Sequence, residues 1–218
     1  MVLYNILNLK VCSMKYLTPK DIGKKFEKSA REVNSVLNEI SFIEKAKNIG
    51  WIVTKKGMEN GGIQKKYLGN NYVCWESGIL ENQLFLKNIQ PETDISDSEE
   101  IDFRKKFEAK YRTKSGHYVR SRAEAMIADW LYGEYLAFAY EKLVPIEEDI
   151  YCDFFIPIKK IYIEFWGMEE DDKYLKRKNK KLEIYKKYNL NLIEIDNNTI
   201  NNLDDFLPKE LLKFGVKF

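Results

Sequence analysis

Residues 151–167 read YCDFFIPIKKIYIEFWG, and the reading of this stretch decides the fold of the half that contains it. Two runs rich in aromatic and β-branched residues flank the turn-like Pro157-Ile158-Lys159-Lys160, so a pair of antiparallel strands is expected. Residues 153 and 164 are symmetric about a turn centred near 158.5. Side chains alternate along a strand and cross-strand partners share a face, so Asp153 and Glu164 are expected side by side. Two close carboxylates with apolar neighbours repel each other and lose hydration unless a cation lies between them, the ordinary reason for Mg2+ or Mn2+ ligation by oxygens. Taken alone, the pair favours the plainer reading, two carboxylates pointing to water.

Outward from this stretch the period changes twice. From Ser121, apolar residues at Ala123, Met126, Ile127, Trp130 and Leu131 have helical spacing, and from Phe138 short β-prone runs follow. The expected strands are AFAYEKLV (137–144), IYCDFFIP (150–157), KIYIEFWG (160–167) and LNLIEID (190–196), with a helix predicted over DDKYLKRKNKKLEIYKKYN (171–189). Helix, three strands, crossover helix and further strand make a mixed α/β sheet with helical flanks. Ser121-Arg122-Ala123-Glu124 also has the form of a capping box, in which Glu124 bonds back to the N-cap.

The first half reads differently. Thr18 is an expected N-cap with Pro19 at the first helical position, and a short helix should reach about Phe26. A second helix is expected from Ser29, with Val33, Val36, Leu37 and Ile40 on its apolar face. A β-ribbon is expected within WIVTKKGMENGGIQKKYLGNNYVCW, residues 51–75. These elements predict a small winged-helix α+β domain over residues 1–87, an acidic linker over 88–102 and an α/β domain over 103–218. LTPKDIGKKFEKSAREVNSVLNEI followed by GWIVTKKG resembles the winged helix-turn-helix of phage antirepressor-type proteins. Residues 16–80 hold 11 basic and 7 acidic side chains. Lys24, Lys25, Lys28 and Arg31 beside the second helix, and Lys55, Lys56, Lys65 and Lys66 in the wing, suit phosphate contacts. A solvated face of a protein-interaction module is the plainer account of the same lysines.

The totals exclude more than they select. Lys+Arg of 36 against Asp+Glu of 34 leaves only +2, so whole-chain charge announces no nucleic-acid partner. Cys12, Cys74 and Cys152 have no CxxC spacing and read as reduced core residues. No apolar run approaches the roughly 20 residues of a membrane span and no secretory signal pattern opens the chain, so a cytoplasmic protein without a membrane partner is expected. No Walker A or GxGxxG motif is present, so no nucleotide cofactor is expected. His117 is the only histidine, which rules out a His-based zinc cluster.

From GHYVRSRAEAMIADWL through DFFIP, IYIEFWG, YLKRKNKKLEIY and LNLIEI, about residues 103–197, the chain resembles the PD-(D/E)XK nuclease superfamily, closest to small very-short-patch-repair and helicase-associated members. The resemblance implies a restriction-endonuclease-like fold and a Mg2+- or Mn2+-dependent DNA endonuclease. Its metal ligands would be Glu124, Asp153 and Glu164. The family's lysine belongs two residues after the glutamate, where this chain has Trp166. Related members supply it from another element. On the following helix, 100° per residue puts Tyr174, Lys178, Lys181, Tyr185 and Tyr188 within one arc of about 80°, with Lys176 and Lys180 to one side. Lys181 is therefore the expected catalytic lysine, with Lys178 next. His117, Arg120, Arg122 and Arg177 are expected to contact substrate phosphates, and cutting both strands would call for a homodimer. The rival expectation is a DNA-binding regulator or antirepressor-like protein whose nuclease-like half is inactive.

Overall fold

In the computed structural model, which describes residues 16–90, 108–167 and 172–217, Thr18 and Ser29 each cap a helix through a reciprocal box with Asp21 and Glu32. The helices they open are α1, Pro19–Phe26, and α2, Ala30–Glu39. A Cβ on Gly23 would lie 2.2 Å from the Lys28 carbonyl oxygen, so only glycine lets the chain double back this tightly between them. Strands β1 (Ile43–Ala46) and β2 (Gly50–Val53) form one hairpin, and β3 (Gly62–Tyr67) and β4 (Asn70–Trp75) form another. Their sheet has the order β1-β2-β4-β3. Ile22, Val33, Leu37, Phe42, Trp75 and Phe85 share its core, each large apolar side chain contributing about 1.5–3 kcal/mol by burial.

The stretch 51–75 expected as one ribbon holds β2, whose hairpin partner β1 precedes it, then a helix, α3, Lys55–Glu59, and then the β3–β4 hairpin. Thr54 caps α3 by accepting from the Gly57 amide at 3.0 Å, and Gly57 fits because a Cβ there would meet the Phe42 carbonyl at 1.9 Å. Helix α4, Gln83–Ile89, takes the first residues assigned to the acidic linker; residues 91–102 of that linker lie outside the described residues. The chain divides into two compact units, Met1–Asp94 and Ile95–Phe218.

In the second unit a two-stranded hairpin, β5 (Tyr111–Arg112) and β6 (Tyr118–Val119), precedes helix α5 (Arg122–Gly133), capped by Ser121. Strands β7 (Ala139–Leu143), β8 (Tyr151–Ile156) and β9 (Ile161–Trp166) follow. Helix α6 (Asp172–Lys187), strand β10 (Asn191–Asp196) and helix α7 (Leu203–Lys213) complete the unit. The sheet order is β10-β9-β8-β7, antiparallel except for the β9–β10 pair that α6 connects. Phe154–Ile163, Phe155–Tyr162 and Ile156–Ile161 are partners, centred on the point expected from the sequence. One sheet face buries Phe154, Ile156, Ile161 and Ile163 under Ile127 and Leu131 of α5 and Leu207 and Leu211 of α7. On the other, Phe155 and Tyr162 pack against Tyr185 of α6. Cys74 and Cys152 are buried free thiols, and Cys12 lies outside the described residues. Among the described residues no helix is long and apolar enough to cross a membrane.

Candidate active site

Glu164 is the most buried charged side chain among the described residues, 1% exposed in the middle of β9. Helix α6 supplies both of its partners from successive turns, because residues four apart on a helix share a face. Lys181 Nζ donates to Glu164 Oε2 at 2.8 Å, and the Tyr185 hydroxyl donates to Oε1 at 2.5 Å. Lys181 is only 15% exposed in its side chain, so it turns inward along the aromatic stripe rather than out to water.

Asp153 is half-buried one strand away on β8 and accepts from the Phe165 amide at 2.8 Å through Oδ2. Among the described residues its Oδ1 accepts no hydrogen bond. Trp166 fills the place where the resemblance puts a lysine. Its indole donates to Glu194 Oε2 at 2.9 Å, and Lys178 and Lys181 hold their ammonium groups 5.4 and 5.9 Å from its ring centre.

Burial pushes the Asp153 carboxyl up to about 6; Lys181 opposes the shift, and the charge of Glu124 adds to it. Burial also drives Glu164 up to about 8, with Asp153 adding repulsion and Lys181 and Tyr185 offsetting part of it. Burial makes both carboxylates costly to ionise, and Lys181 offsets only part of that cost. An oxygen-only donor pair in that condition fits a hard divalent cation such as Mg2+.

Glu124 is differently employed. Its Oε2 accepts from the Tyr140 hydroxyl at 2.6 Å and the Arg120 amide at 3.0 Å, while Oε1 accepts from the Ser121 hydroxyl at 2.9 Å. Ser121 caps the helix, but the reciprocal half of the expected capping box is not made: Glu124 accepts from the Arg120 amide in place of the N-cap amide, and its Oε2 also ties the helix to Tyr140 of β7. Among the described residues no three Asp, Glu, His or Cys side chains converge as a metal cage. Asp153 and Glu164 are the fitting donors, and Glu124 acts on Asp153 through its field.

The expected phosphate contacts divide. Arg120 forms a two-pronged ion pair with Glu141, Nε to Oε1 at 2.6 Å and Nη2 to Oε2 at 2.9 Å, so its planar fork is matched to a carboxylate of the chain itself. His117 is exposed and shares a hydrogen bond with Ser115 through Nδ1 at 3.0 Å. Arg122 is exposed at the first turn of α5, and Arg177 lies 5.8 Å over the Tyr174 ring.

Three groups at the site escaped the sequence reading as functional residues. Tyr185 carried a signal, since it stands one turn beyond Lys181 on the same stripe. Tyr140 and Glu141 carried none, because they reach the site by strand pairing. Glu141 falls between the pairs Tyr140–Phe154 and Lys142–Cys152, opposite Asp153, with a positive φ of 48°.

In the first unit, Lys24, Lys25, Lys28 and Arg31 are exposed around the α1–α2 turn, with Lys28 3.8 Å from Glu32. Lys65 and Lys66 are exposed on β3, Lys65 lying 5.6 Å from the Tyr16 ring centre. Lys55 and Lys56 are not on a hairpin but on α3, and Lys56 donates to the Ile40 carbonyl at 3.2 Å, closing the end of α2. That bond and a ring contact with Phe42 at 5.5 Å give Lys56 a structural task.

Family models, curated proteins and solved structures were compared with the chain, and none matches it.

Proposed function

We propose that the second unit is a restriction-endonuclease-like hydrolase that cuts DNA phosphodiester bonds with the help of a divalent cation, and that the first unit is a winged helix that holds it on DNA. The observation that carries this reading is the ion pair of Lys181 with Glu164, beside Asp153 and on the same sheet. The lysine absent from position 166 reaches the glutamate from α6, and its partner is one of the two carboxylates the chemistry needs. The strand order β10-β9-β8-β7, with only β9–β10 parallel, also supports the fold assignment.

Hydrolysis joins a water oxygen to phosphorus and breaks the bond to one sugar oxygen, through a transition state richer in charge on the phosphoryl oxygens. Asp153 and Glu164 would hold Mg2+ or Mn2+, which neutralises that charge and lowers the pKa of water. Asp153 keeps one carboxylate oxygen without a hydrogen bond among the described residues, the oxygen that would bind the cation. Tyr185 fixes the rotamer of Glu164 through Oε1. Lys181 carries a positive charge beside Glu164, where it can donate to a phosphoryl oxygen and orient the water. The ion pair with Glu141 makes Arg120 a positioning residue next to Asp153.

One observation favours the rival reading, a DNA-binding regulator with an inactive nuclease-like half: Lys181 and Tyr185 already occupy both oxygens of Glu164. Cleavage and metal binding separate the two. Plasmid and single-stranded DNA are incubated with Mg2+ or Mn2+, and thermal unfolding is followed as each ion is added. Cleavage that disappears in Asp153→Ala, with an ion-dependent rise in Tm lost in the same variant, is expected. Binding of DNA without cleavage under either ion, and without any ion-dependent Tm shift, would instead establish the regulator.

A further inference from the structure

Helix α6 reads DKYLKRKNKKLEIYKK and carries eight Lys or Arg against two acidic residues, in a chain whose total is +2. Its inward arc is spent on the site. At 100° per residue, Lys173, Lys176, Arg177 and Lys180 fall on a second arc about 100° wide, and all four are exposed. This stripe extends along about 10 Å of helix at the 1.5 Å rise per residue. Lys176 and Lys180 have no hydrogen bond or ion pair among the described residues.

A face that is only solvated gains from interspersed acids, which give favourable pairs at three- and four-residue spacing. Here the acids stand only at one edge of the stripe, Asp172 four residues before Lys176 and Glu183 three after Lys180, and none lies within it. Within the stripe Lys173 and Arg177, and Lys176 and Lys180, stand four apart, so like charges face each other, a repulsion that a bound polyanion would relieve. The same helix delivers Lys181 to Glu164, so an anion lying on the stripe is continuous with the site.

We infer that the stripe Lys173–Lys176–Arg177–Lys180 is the track for the phosphate backbone of a nucleic-acid strand, guiding it across α6 toward Asp153 and Glu164. The inference deepens the nuclease reading by placing the substrate on one helix, and it adds phosphate contacts to the one expected of Arg177. Contact is sequence-independent, made by point charges and by the Arg177 fork to phosphate oxygens.

The test measures binding of the full chain to a fluorescent 20-residue DNA, duplex and single-stranded, from about 50 to 200 mM salt in EDTA, so that no cutting intervenes. The double variant Lys176→Gln/Lys180→Gln is expected to lower the slope of log K against log salt by about 1.8 on duplex or about 1.4 on a single strand. Lys209→Gln, an exposed lysine on α7, which packs against the opposite sheet face, removes charge without touching the stripe and should leave the slope unchanged. The inference falls if the double variant keeps the parent slope and affinity, if Lys209→Gln loses as much slope per charge, or if the chain binds neither DNA. Binding through the stripe by a protein that never cuts DNA would end the nuclease reading and leave the track standing. Cleavage with an unchanged slope in the double variant would do the reverse.

Discussion

At the scale of single residues, the site is a place where charge costs stability. Asp153 is raised to about 6 and Glu164 to about 8 by burial first, so each holds its proton more tightly folded than unfolded. Between the unfolded and folded pKa values the native state binds more protons, and stability then falls as pH rises. For Asp153 the loss begins above the ordinary value of 3.8 and is complete above about 6. Asp153→Asn removes the charge and keeps an oxygen for the Phe165 amide, so it should stabilise the protein at pH 8 by on the order of 1–3 kcal/mol. Urea unfolding at pH 8 and pH 4 checks this: the gain should shrink toward zero at the lower pH, and a gain equal at both would refute its electrostatic origin. Mg2+ should narrow the gap as well, since a cation held only by the parent site adds about 2.7 kcal/mol at a hundred times its Kd.

At the scale of elements, α6 works as a two-pronged support, and its prongs should fail differently. Lys181→Met strands a buried carboxylate without its cation, which costs about 3–5 kcal/mol while Glu164 is ionised. Because Glu164 loses that charge on protonation, the cost should be small at pH 6 and large at pH 9, and cleavage should fall by about 10²–10³ fold if the ammonium stabilises developing charge. Tyr185→Phe keeps the ring packing on Tyr162 but removes one donor, a loss of about 1–3 kcal/mol. Its cleavage should be lowered and its pH profile displaced rather than abolished; parent kinetics at every pH would show that Glu164 needs no second anchor.

The same helix shows what a sequence discloses. The angular stripe Tyr174–Lys181–Tyr185 could be read because helical phase is a local property, and the β8–β9 register could be read because one short turn fixes it. The grip of Arg120 on Glu141 could not, since it depends on a pairing of β7 with β8 that no local pattern specifies. Helix α3 was hidden for another reason: Gly57, a poor helix former, is present because Phe42 leaves no room for a Cβ. Helix α7 went unread too, although Leu203, Leu207 and Leu211 mark its buried face.

At the scale of the whole molecule, a balance of +2 gives little long-range attraction for a polyanion, so the proposed DNA binding would have to rest on patches. Lys24, Lys25 and Arg31 form one such patch in the first unit, exposed beside a turn that Gly23 keeps tight, with Lys28 partly diverted to Glu32. If the first unit holds DNA and the second cuts it, removing this patch takes away binding shared equally by substrate and transition state. That is uniform binding, which appears in KM and leaves kcat alone. The triple variant Lys24→Gln/Lys25→Gln/Arg31→Gln should therefore raise KM for duplex DNA by tenfold or more at about 150 mM salt, with kcat changed by less than about twofold. Its salt slope should drop by up to about 2.7, one contact for each charge removed. The patch and the α6 stripe belong to separate units, so their slope losses should add when the variants are combined. A triple variant with unchanged KM and reduced kcat would mean that these residues act in the chemical step and that the first unit is not a separate DNA grip.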